Sequence, residues 1–467
     1  MFKKLFGTID MTTGSVWKNI VMFTLPMLIG NIAQQLYSTV DTIVVGRYAA
    51  NGDNAIAAVG SALPILNMLL VLFIGISAGA SVMVSQYFGA KNRQGLSYTV
   101  GNCISITAIA CVGLVLVAVW FIPSVLKLLN TPAEIIDDCT AYLTISLIGI
   151  AGMAYYNILS GIIRGLGDSF STLIYLLVAT VINIALDMLF VIVFHLDVAG
   201  VAIATIISQF ISSALCLLKL SRMTEFFDFG KKYLSPKSHY VRTVVKLGLP
   251  SGLTQAIFSS AMIVVQSLTN CFGPQFIASN VVVMRVDGFA MMPNFSFGTA
   301  LTTFSGQNVG AGRYDRVVKG AKQGTLIAVG CSAFITGIIL LFGKPLMGIF
   351  TDTKELVDLS YYLMCILAFG YIAVAVTQSL SGIMRGAGDT MTPMWISLIT
   401  TVVIRVPIAY GISYLTRTEA LPYGNFECIQ ISLLSSWVMG AVLTFVFYCI
   451  GGWKKKMLSA AQRYTED

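Results

Sequence analysis

The chain has 467 residues, of which 56% are hydrophobic and only 11% are charged, and its mean hydropathy is +0.82. Because soluble globular proteins carry roughly 25% charged residues, this composition excludes an ordinary soluble domain and indicates an integral membrane protein. The net charge of +8 does not predict a nucleic-acid partner, because the basic residues cluster in short loops between apolar segments. The nine cysteines show no paired spacing and the two histidines lie near segment ends, so we expect no disulfide framework and no zinc site.

Twelve long apolar segments follow one another, and because backbone groups in lipid need internal partners, each is predicted to be a helix. They cover approximately residues 20–45, 55–85, 97–121, 135–160, 170–194, 199–220, 243–269, 276–305, 317–342, 357–380, 393–415 and 429–452. The longest polar break, 221–240, lies near the middle of the chain. The sequence therefore predicts an all-α integral membrane protein with 12 transmembrane helices: an N-lobe at 1–220, a cytoplasmic linker at 221–240 and a C-lobe at 241–467.

The two halves of the chain repeat at an offset of 221 positions. The stretch LSGIIRGLGD at 159–168 recurs as LSGIMRGAGD at 380–389, and SQYFGA at 85–90 aligns with GQNVGA at 306–311. Each half has an even number of helices, so both halves start on the same side of the membrane. Such a parallel repeat is typical of one class of secondary transporters.

The lysines and arginines are distributed unequally over the two sides of the predicted bundle. The side that holds both termini carries 21 of them and the opposite side carries five. Since basic residues are retained on the cytoplasmic side, we expect a plasma-membrane protein with both termini in the cytoplasm.

The fifth segment carries Asn183 and Asp187, which lie four residues apart and therefore on one helix face. A carboxylate at the bilayer centre costs roughly 2.5–3.5 kcal/mol even on lenient insertion scales, so something must compensate for it. One interpretation is a buried aspartate satisfied by a neighbouring helix; the other is a cation or proton site. Asp41 and Thr205 lie at a similar depth, roughly 8–11 Å from the outer boundary, so the three segments can present their oxygens in one layer. These oxygens suit Na⁺ or a shared proton.

The second half carries different charges. The 221-residue offset places Arg405 beside the position that corresponds to Asn183, and no acid replaces Asp187 or Asp41. Asp287 lies at a depth similar to that of Arg405, so the two either form a structural charge pair or Asp287 binds a cationic substrate.

The chain resembles the multidrug and toxic compound extrusion (MATE) family over nearly its full length. The resemblance is carried by the paired SG-I-x-RG-x-GD stretches, the two Q-x-x-GA segments, Pro26 and Asp41 in the first segment, and Asn183-x-x-x-Asp187 in the fifth. It implies a twelve-helix antiporter with two lobes around a central cavity, which exports cationic compounds against a Na⁺ or H⁺ gradient. It also implies that Asp41, Asn183, Asp187 and Thr205 form the cation site, with Na⁺ as one candidate ion.

We therefore expect a multidrug efflux antiporter in the inner membrane, not an enzyme, which exchanges small cationic amphipathic compounds for H⁺ or Na⁺. The expected protein is a monomer in contact with membrane lipids, without an organic cofactor or nucleic acid. Its predicted cavity residues are Gln34, Tyr37, Tyr142, Asn157, Gln255, Asp287 and Met291. The alternative is a flippase of a lipid-linked saccharide, which usually needs a cationic cavity for the phosphate, whereas the N-lobe candidates are acidic. No metal cluster, nucleophile–base pair or P-loop supports an enzyme, and a channel is the remaining class.

Overall fold

The computed structural model describes residues 7–48, 52–128, 131, 134–419 and 421–466, and the side chains at 37–38, 40–43, 45–47, 52–57, 128 and 460–466 lie outside this description. The described residues form helices and no strands. In chain order the helices are α1 (Val16–Tyr48), α2 (Gly52–Gly89), α3 (Arg93–Leu128), α4 (Ile136–Ile148), α5 (Ile150–Gly165), α6 (Ser169–Met188), α7 (Asp197–Arg222), α8 (Lys231–Leu234), α9 (Ser238–Thr269), α10 (Pro274–Gly310), α11 (Tyr314–Gly348), α12 (Lys354–Ala368), α13 (Gly370–Gly386), α14 (Met391–Leu398), α15 (Val406–Leu415), α16 (Cys428–Ile450) and α17 (Gly452–Glu466). Two π-helical stretches, Leu189–Val193 and Ile399–Arg405, follow α6 and join α14 to α15.

The predicted fold class is confirmed. Within the part of the chain that the structure describes, ten helical segments are long and apolar enough to cross a membrane, and two bent helix pairs raise the number to 12 when each pair counts as one span. The fourth and tenth segments, which the sequence predicts as single helices, are these bent pairs. Their axes turn by 50° between α4 and α5 and by 45° between α12 and α13.

A close neighbouring helix accompanies each of these two bends. A Cβ atom on Gly149, between α4 and α5, would collide with Ile206 of α7, and one on Gly370, at the start of α13, would collide with Trp437 of α16. Gly149 and Gly370 are 221 positions apart, so both halves of the repeat bend at matching places. The physical reason is that a glycine permits a side chain of the next helix to approach the backbone at the bend.

By packing, the chain divides into two compact units, which we call the N-unit and the C-unit. The N-unit contains Leu25–Gly252, and the C-unit contains Met11–Thr24 and Leu253–Arg463. The chain therefore passes from one unit to the other inside α1 and again inside α9. Each crossing lies within two or three residues of a helix proline, Pro26 or Pro250. Proline removes one backbone hydrogen bond and so weakens the helix where the chain changes unit.

The backbone of the segment before α1 is held by hydrogen bonds with side chains of α10 and α11. The Met11 amide donates to Oε1 of Gln307 at 3.0 Å, and Nδ2 of Asn308 donates to the Met11 carbonyl at 3.2 Å. Arg316 donates to the carbonyl oxygens of Met11, Thr13 and Gly14 at 2.9–3.1 Å. Gln307 and Asn308 both lie in the GQNVGA repeat stretch, which gives that stretch a structural role.

The polar linker before α9 is bound to the N-unit in a comparable way. Arg93, the first residue of α3, forms a 2.6 Å ion pair with Asp228 and donates to the carbonyl oxygens of Thr224 and Glu225. The Lys237 ammonium lies 3.6 Å from the centre of the Tyr98 ring, a distance suited to a cation–π contact. In both units, the segment that enters a crossing helix is thus held by side chains at the end of another helix.

The repeated SG-I-x-RG stretches bring helices into close contact. In the N-unit, Gly161 of α5 lies against Ser77 of α2, and in the C-unit, Gly382 of α13 lies against Gly298 of α10. All four positions obey the 221-residue offset. Small residues at such crossings let two backbones approach, which is how helices associate in lipid without a hydrophobic driving force.

Candidate functional site

The helix α6 places two polar side chains inside the N-unit. It begins after Asp168, whose carboxylate accepts a hydrogen bond from the Ser171 amide at 2.9 Å and so caps the helix. Fifteen and 19 residues further on, Asn183 and Asp187 are both 0% exposed. The helix ends one residue after Asp187 and continues as the π-helical stretch Leu189–Val193. Such π-helical insertions are frequent at functional sites.

The helix α7 packs beside α6 and brings Thr205 to the level of Asn183. Oγ of Ser212 on α7 donates to the Tyr175 carbonyl on α6 at 2.9 Å, which fixes the register between the two antiparallel helices. From that bond Asn183 is eight residues away on α6 and Thr205 is seven away on α7. At about 1.5 Å per residue the two positions differ by only about 2 Å along the helix axes.

The backbone of helix α1 reaches the same level as Asp187. Gly30 of α1 lies 3.7 Å from Leu173 and Leu176 of α6, measured from the position of a Cβ atom on the glycine. Both helices then run in the same direction, and 11 residues separate Gly30 from position 41 as well as Leu176 from Asp187. The backbone register therefore carries position 41 to the level of Asp187. The side chains of Asp41 and Tyr37 lie outside the described residues.

The backbones of α1, α6 and α7 thus carry the four residues of the predicted N-lobe site to similar levels, and the ligands that these residues offer are carboxylate, amide and hydroxyl oxygens. Such oxygen ligands suit a hard monovalent cation or a proton. Gln34, the remaining candidate on α1, is exposed. The assignment of these residues as an ion site stays a prediction.

Two further candidates of the N-unit belong to α4 and α5. Tyr142 of α4 is 6% exposed. The side chain of Asn157 on α5 donates to its own helix, to the Met153 carbonyl at 2.8 Å, while its backbone carbonyl accepts a hydrogen bond from Ser77 of α2 at 2.6 Å. This carbonyl lies next to the close α2–α5 crossing, so Asn157 contributes to helix packing there.

The candidates of the C-unit occupy three different environments. Gln255 of α9 is exposed, and Met291 of α10 is 8% exposed within the hydrophobic core of the unit. Asp287 is half-buried, and its Oδ1 accepts a hydrogen bond from the Tyr371 hydroxyl at 2.9 Å. The sequence did not single out Tyr371. Its position directly after Gly370, which matches Gly149 across the repeat, is the signal that could have drawn attention to it.

The Gly-Asp ends of the repeated stretches are tight turns. Gly167 and Gly388 have φ angles of +94° and +89°, which favour glycine. The carboxylates of the following Asp168 and Asp389 accept hydrogen bonds from amides in the first turns of α6 and α14.

The comparison with known proteins assigns the fold and the family. The MatE family model matches residues 26–189 and 250–411, one range in each half of the chain and each beginning at a crossing proline. The chain therefore belongs to the MatE family of membrane proteins.

Individual relatives agree with this assignment. The chain is 28% identical over 456 residues to a Bacillus subtilis protein named "Probable multidrug resistance protein YoeA", with 95% of this chain and 96% of that protein covered. It is 25% identical to the Thermotoga maritima "Probable multidrug resistance protein NorM", with 96% of both chains covered. A solved structure from Pyrococcus furiosus, described as a MOP superfamily transporter with a binding pocket of reversed polarity, superposes with a TM-score of 0.86 at 21% identity, covering 97% of this chain and 98% of that one.

Proposed function

We propose that this protein is a multidrug efflux antiporter of the plasma membrane, which exports small cationic amphipathic compounds in exchange for H⁺ or Na⁺. The observation that carries this proposal is the fully buried Asn183–Asp187 pair on a membrane-spanning helix. An acid inside a membrane span is a functional-site hypothesis by default, because its insertion cost needs a compensating role. The names of the relatives support multidrug export, and the excess of basic residues on one side supports cytoplasmic termini.

The proposed mechanism needs one negatively charged layer and two conformations of the transporter. An ionised layer at Asp187 and Asp41 attracts a drug cation. Entry of H⁺ or Na⁺ from outside neutralises the layer, which lowers the affinity for the drug and releases it. Return of the ion-loaded, drug-free protein completes the cycle. Exchange follows whenever the ion and the drug prefer different conformations, without any covalent step or organic cofactor.

The alternative classes fit this charge distribution less well. A flippase of a lipid-linked saccharide needs a cationic group near the phosphate, whereas the buried charge that Asp187 brings to the N-unit is negative. We further propose that the protein acts as a monomer whose partners are its substrates and the surrounding lipids.

The experiment replaces Asp187 by asparagine and measures drug efflux from proteoliposomes. Asp187→Asn preserves the shape of the side chain and removes its charge, so we expect normal membrane insertion and nearly abolished efflux. The matched control is Gln255→Ala in the C-unit, which should leave the ion dependence intact. Wild-type efflux by Asp187→Asn under both a Na⁺ and an H⁺ gradient would refute the assignment of the site. Loss of ion stimulation in Gln255→Ala with unchanged drug binding would move the ion site into the C-unit.

A further inference from the structure

The first turns of α9 have one buried face and one exposed face. Tyr240, Val244 and Leu247 are buried. A Cβ atom on Gly248, which is also buried, would collide with the Gly75 carbonyl of α2, so α2 packs closely against this face of the helix. Side chains on the opposite face of α9 are therefore turned away from this contact.

The opposite face carries two cations and two apolar side chains, all of them exposed: Arg242, Val245, Lys246 and Leu249. These positions follow the i, i+3, i+4, i+7 spacing and so form one stripe along the helix. Val245 is 40% exposed and Leu249 is 51% exposed. Because α9 qualifies as a membrane span, such apolar surface meets lipid chains, and basic side chains near the end of the span reach the headgroups.

No acidic side chain compensates for these two cations. The sequence contains no Asp or Glu between Asp228 and Asp287, and Asp228 is already paired with Arg93 at 2.6 Å. Among the residues that the structure describes, none forms an ion pair with Arg242 or Lys246. The stripe on α9 therefore presents positive charge that is free to meet an anion, next to apolar surface.

The other crossing helix, α1, repeats this pattern with one cation fewer. Leu25 and Leu249 each precede the helix proline, 224 positions apart, and both are 51% exposed. At the same offset, the buried positions of α9 match buried positions of α1, which are 240, 244, 247 and 248 in α9 and 16, 20, 23 and 24 in α1. The exposed face of α1 carries Lys18, but the half-buried Met22 takes the place of Lys246. The second cation is therefore particular to α9.

We propose that Arg242 and Lys246 bind the phosphate of an anionic phospholipid, whose acyl chains lie along Val245 and Leu249. The two basic residues are one helical turn apart, so their side chains can contact one phosphodiester, which the guanidinium fork accepts with two parallel hydrogen bonds. An anionic lipid keeps its net charge, whereas the choline of a zwitterionic lipid offsets the phosphate. The apolar half of the stripe favours a lipid over a soluble phosphate.

This site deepens the lipid contact proposed above, because it names the class of lipid and the helix face that holds it. It lies on the proposed cytoplasmic side, where anionic lipids attract basic segments next to a span. Its existence does not depend on which drug or which ion the protein carries.

The test compares two lipids that differ in the headgroup alone. Phosphatidylglycerol and phosphatidylcholine with identical acyl chains are titrated into the purified full-length protein in detergent, and bound lipid is counted by native mass spectrometry. We expect the wild type to bind phosphatidylglycerol about tenfold more tightly or better, since each basic residue near a headgroup contributes about fivefold. Equal binding of the two lipids by the wild type would overturn the proposal.

The variants separate charge recognition from folding. Arg242→Gln and Lys246→Gln should each weaken binding of phosphatidylglycerol about fivefold, and the double variant about 30-fold, with phosphatidylcholine changed less than twofold. Arg242→Lys, which keeps the charge, should keep most of the preference. The control is the double variant Lys91→Gln/Lys231→Gln, which removes two exposed lysines outside the membrane spans and should leave the preference intact. An equal loss of preference in the control would assign it to overall charge and refute the site.

Two further measurements identify the occupant and keep this proposal apart from the proposed function. Glycerophosphoglycerol, the same headgroup without acyl chains, should not displace the lipid at millimolar concentration, and full displacement would show a soluble-phosphate site instead. Asp187→Asn should retain the lipid preference. Selective lipid binding by a wild type that exchanges no drug would refute the proposed function and leave the site standing, and drug exchange without any lipid preference would do the reverse.

Discussion

Asp168 and Asp389, 221 residues apart, occupy the same structural role in the two units. Each caps the following helix by accepting hydrogen bonds from the amide and hydroxyl of the third residue along, Ser171 or Thr392. Each also pairs with a lysine, Lys219 at 3.1 Å and Lys456 at 2.7 Å. The two lysines come from different places, the end of α7 and the terminal helix α17. Both copies of the duplicated Gly-Asp loop therefore carry an ion pair with a lysine. The two lysines, however, do not occupy equivalent positions in the repeat.

The two aspartates should differ in their effect on stability. Asp168 has a side chain 0% exposed and a partner that is 28% exposed, whereas the partner of Asp389 is 48% exposed and able to turn towards solvent. We expect Asp168→Ala to lower the free energy of unfolding by about 2–4 kcal/mol and Asp389→Ala by about 1–2 kcal/mol. Thermal unfolding in detergent measures both. Asp→Asn variants, which keep the cap, isolate the ion pair, and an equal loss at the two sites would contradict the role of burial.

The close crossing of α10 and α13 should not accept a side chain. A Cβ atom on Gly382 would collide with the backbone carbonyl of Gly298. Gly382→Ala should destabilise the protein by about 1–3 kcal/mol, because the two backbones must separate. Gly330→Ala on α11, where a Cβ atom meets nothing within 4 Å, should leave the unfolding temperature unchanged or slightly higher. Equal effects at the two glycines would show that the crossing tolerates separation.

The segment before α1 should lose local stability when Arg316 of α11 is replaced. Arg316 supplies three hydrogen bonds to the carbonyls of Met11, Thr13 and Gly14. Arg316→Ala should raise hydrogen–deuterium exchange of residues 11–16 about tenfold or more, which corresponds to about 1.4 kcal/mol of local stability. Lys319→Ala is the control, because that side chain is 66% exposed with a 3.9 Å contact to Asp315. Unchanged exchange in Arg316→Ala would show that the other hydrogen bonds hold the segment alone.

The polar linker before α9 should lose local stability as pH falls. Hydrogen bonding and attraction by the Arg93 guanidinium hold the pKa of Asp228 below its usual range. Because the pKa is lower in the folded state, the stabilisation is present above the usual aspartate pKa of about 3.9 and is lost as pH falls through the folded value. Exchange of residues 224–237, corrected for its intrinsic pH dependence, should therefore rise in acid. Asp228→Asn should show the rise already at neutral pH, and Asp315→Asn should not. A wild-type linker whose protection is constant into acid would contradict this account.

Much of the fold is predictable because membrane spans have a length and composition that lipid imposes. The number of spans, the repeat and the tight turns at Gly167 and Gly388 follow from such local rules. The bends beside Gly149 and Gly370 do not, because they depend on which neighbouring helix approaches each glycine. The points near Pro26 and Pro250 where the chain passes from one unit to the other likewise depend on tertiary packing. A hydropathy pattern contains no information about such packing.

The candidate site shows the same division. Asn183 and Asp187 can be found in the sequence because they are polar residues in an apolar stretch. The structure buries both side chains completely. The hydrogen bond from Tyr371 to Asp287 joins two residues that are 84 positions apart in the sequence. No pattern of neighbouring residues in the sequence predicts it. The contrast between Arg405, whose buried Nε has no hydrogen-bond partner among the described residues, and Asp168, which pairs with Lys219, also appears only once the helices are packed.

In the proposed mechanism, the drug and the ion move in opposite directions. The direct measurement imposes a drug gradient alone on proteoliposomes that contain the purified protein and records luminal pH and luminal Na⁺. Since coupling between two ligands is reciprocal, drug entering the lumen should drive either H⁺ or Na⁺ out, and Asp187→Asn should abolish this ion movement. Drug flux by the wild type with no movement of either ion would contradict the account.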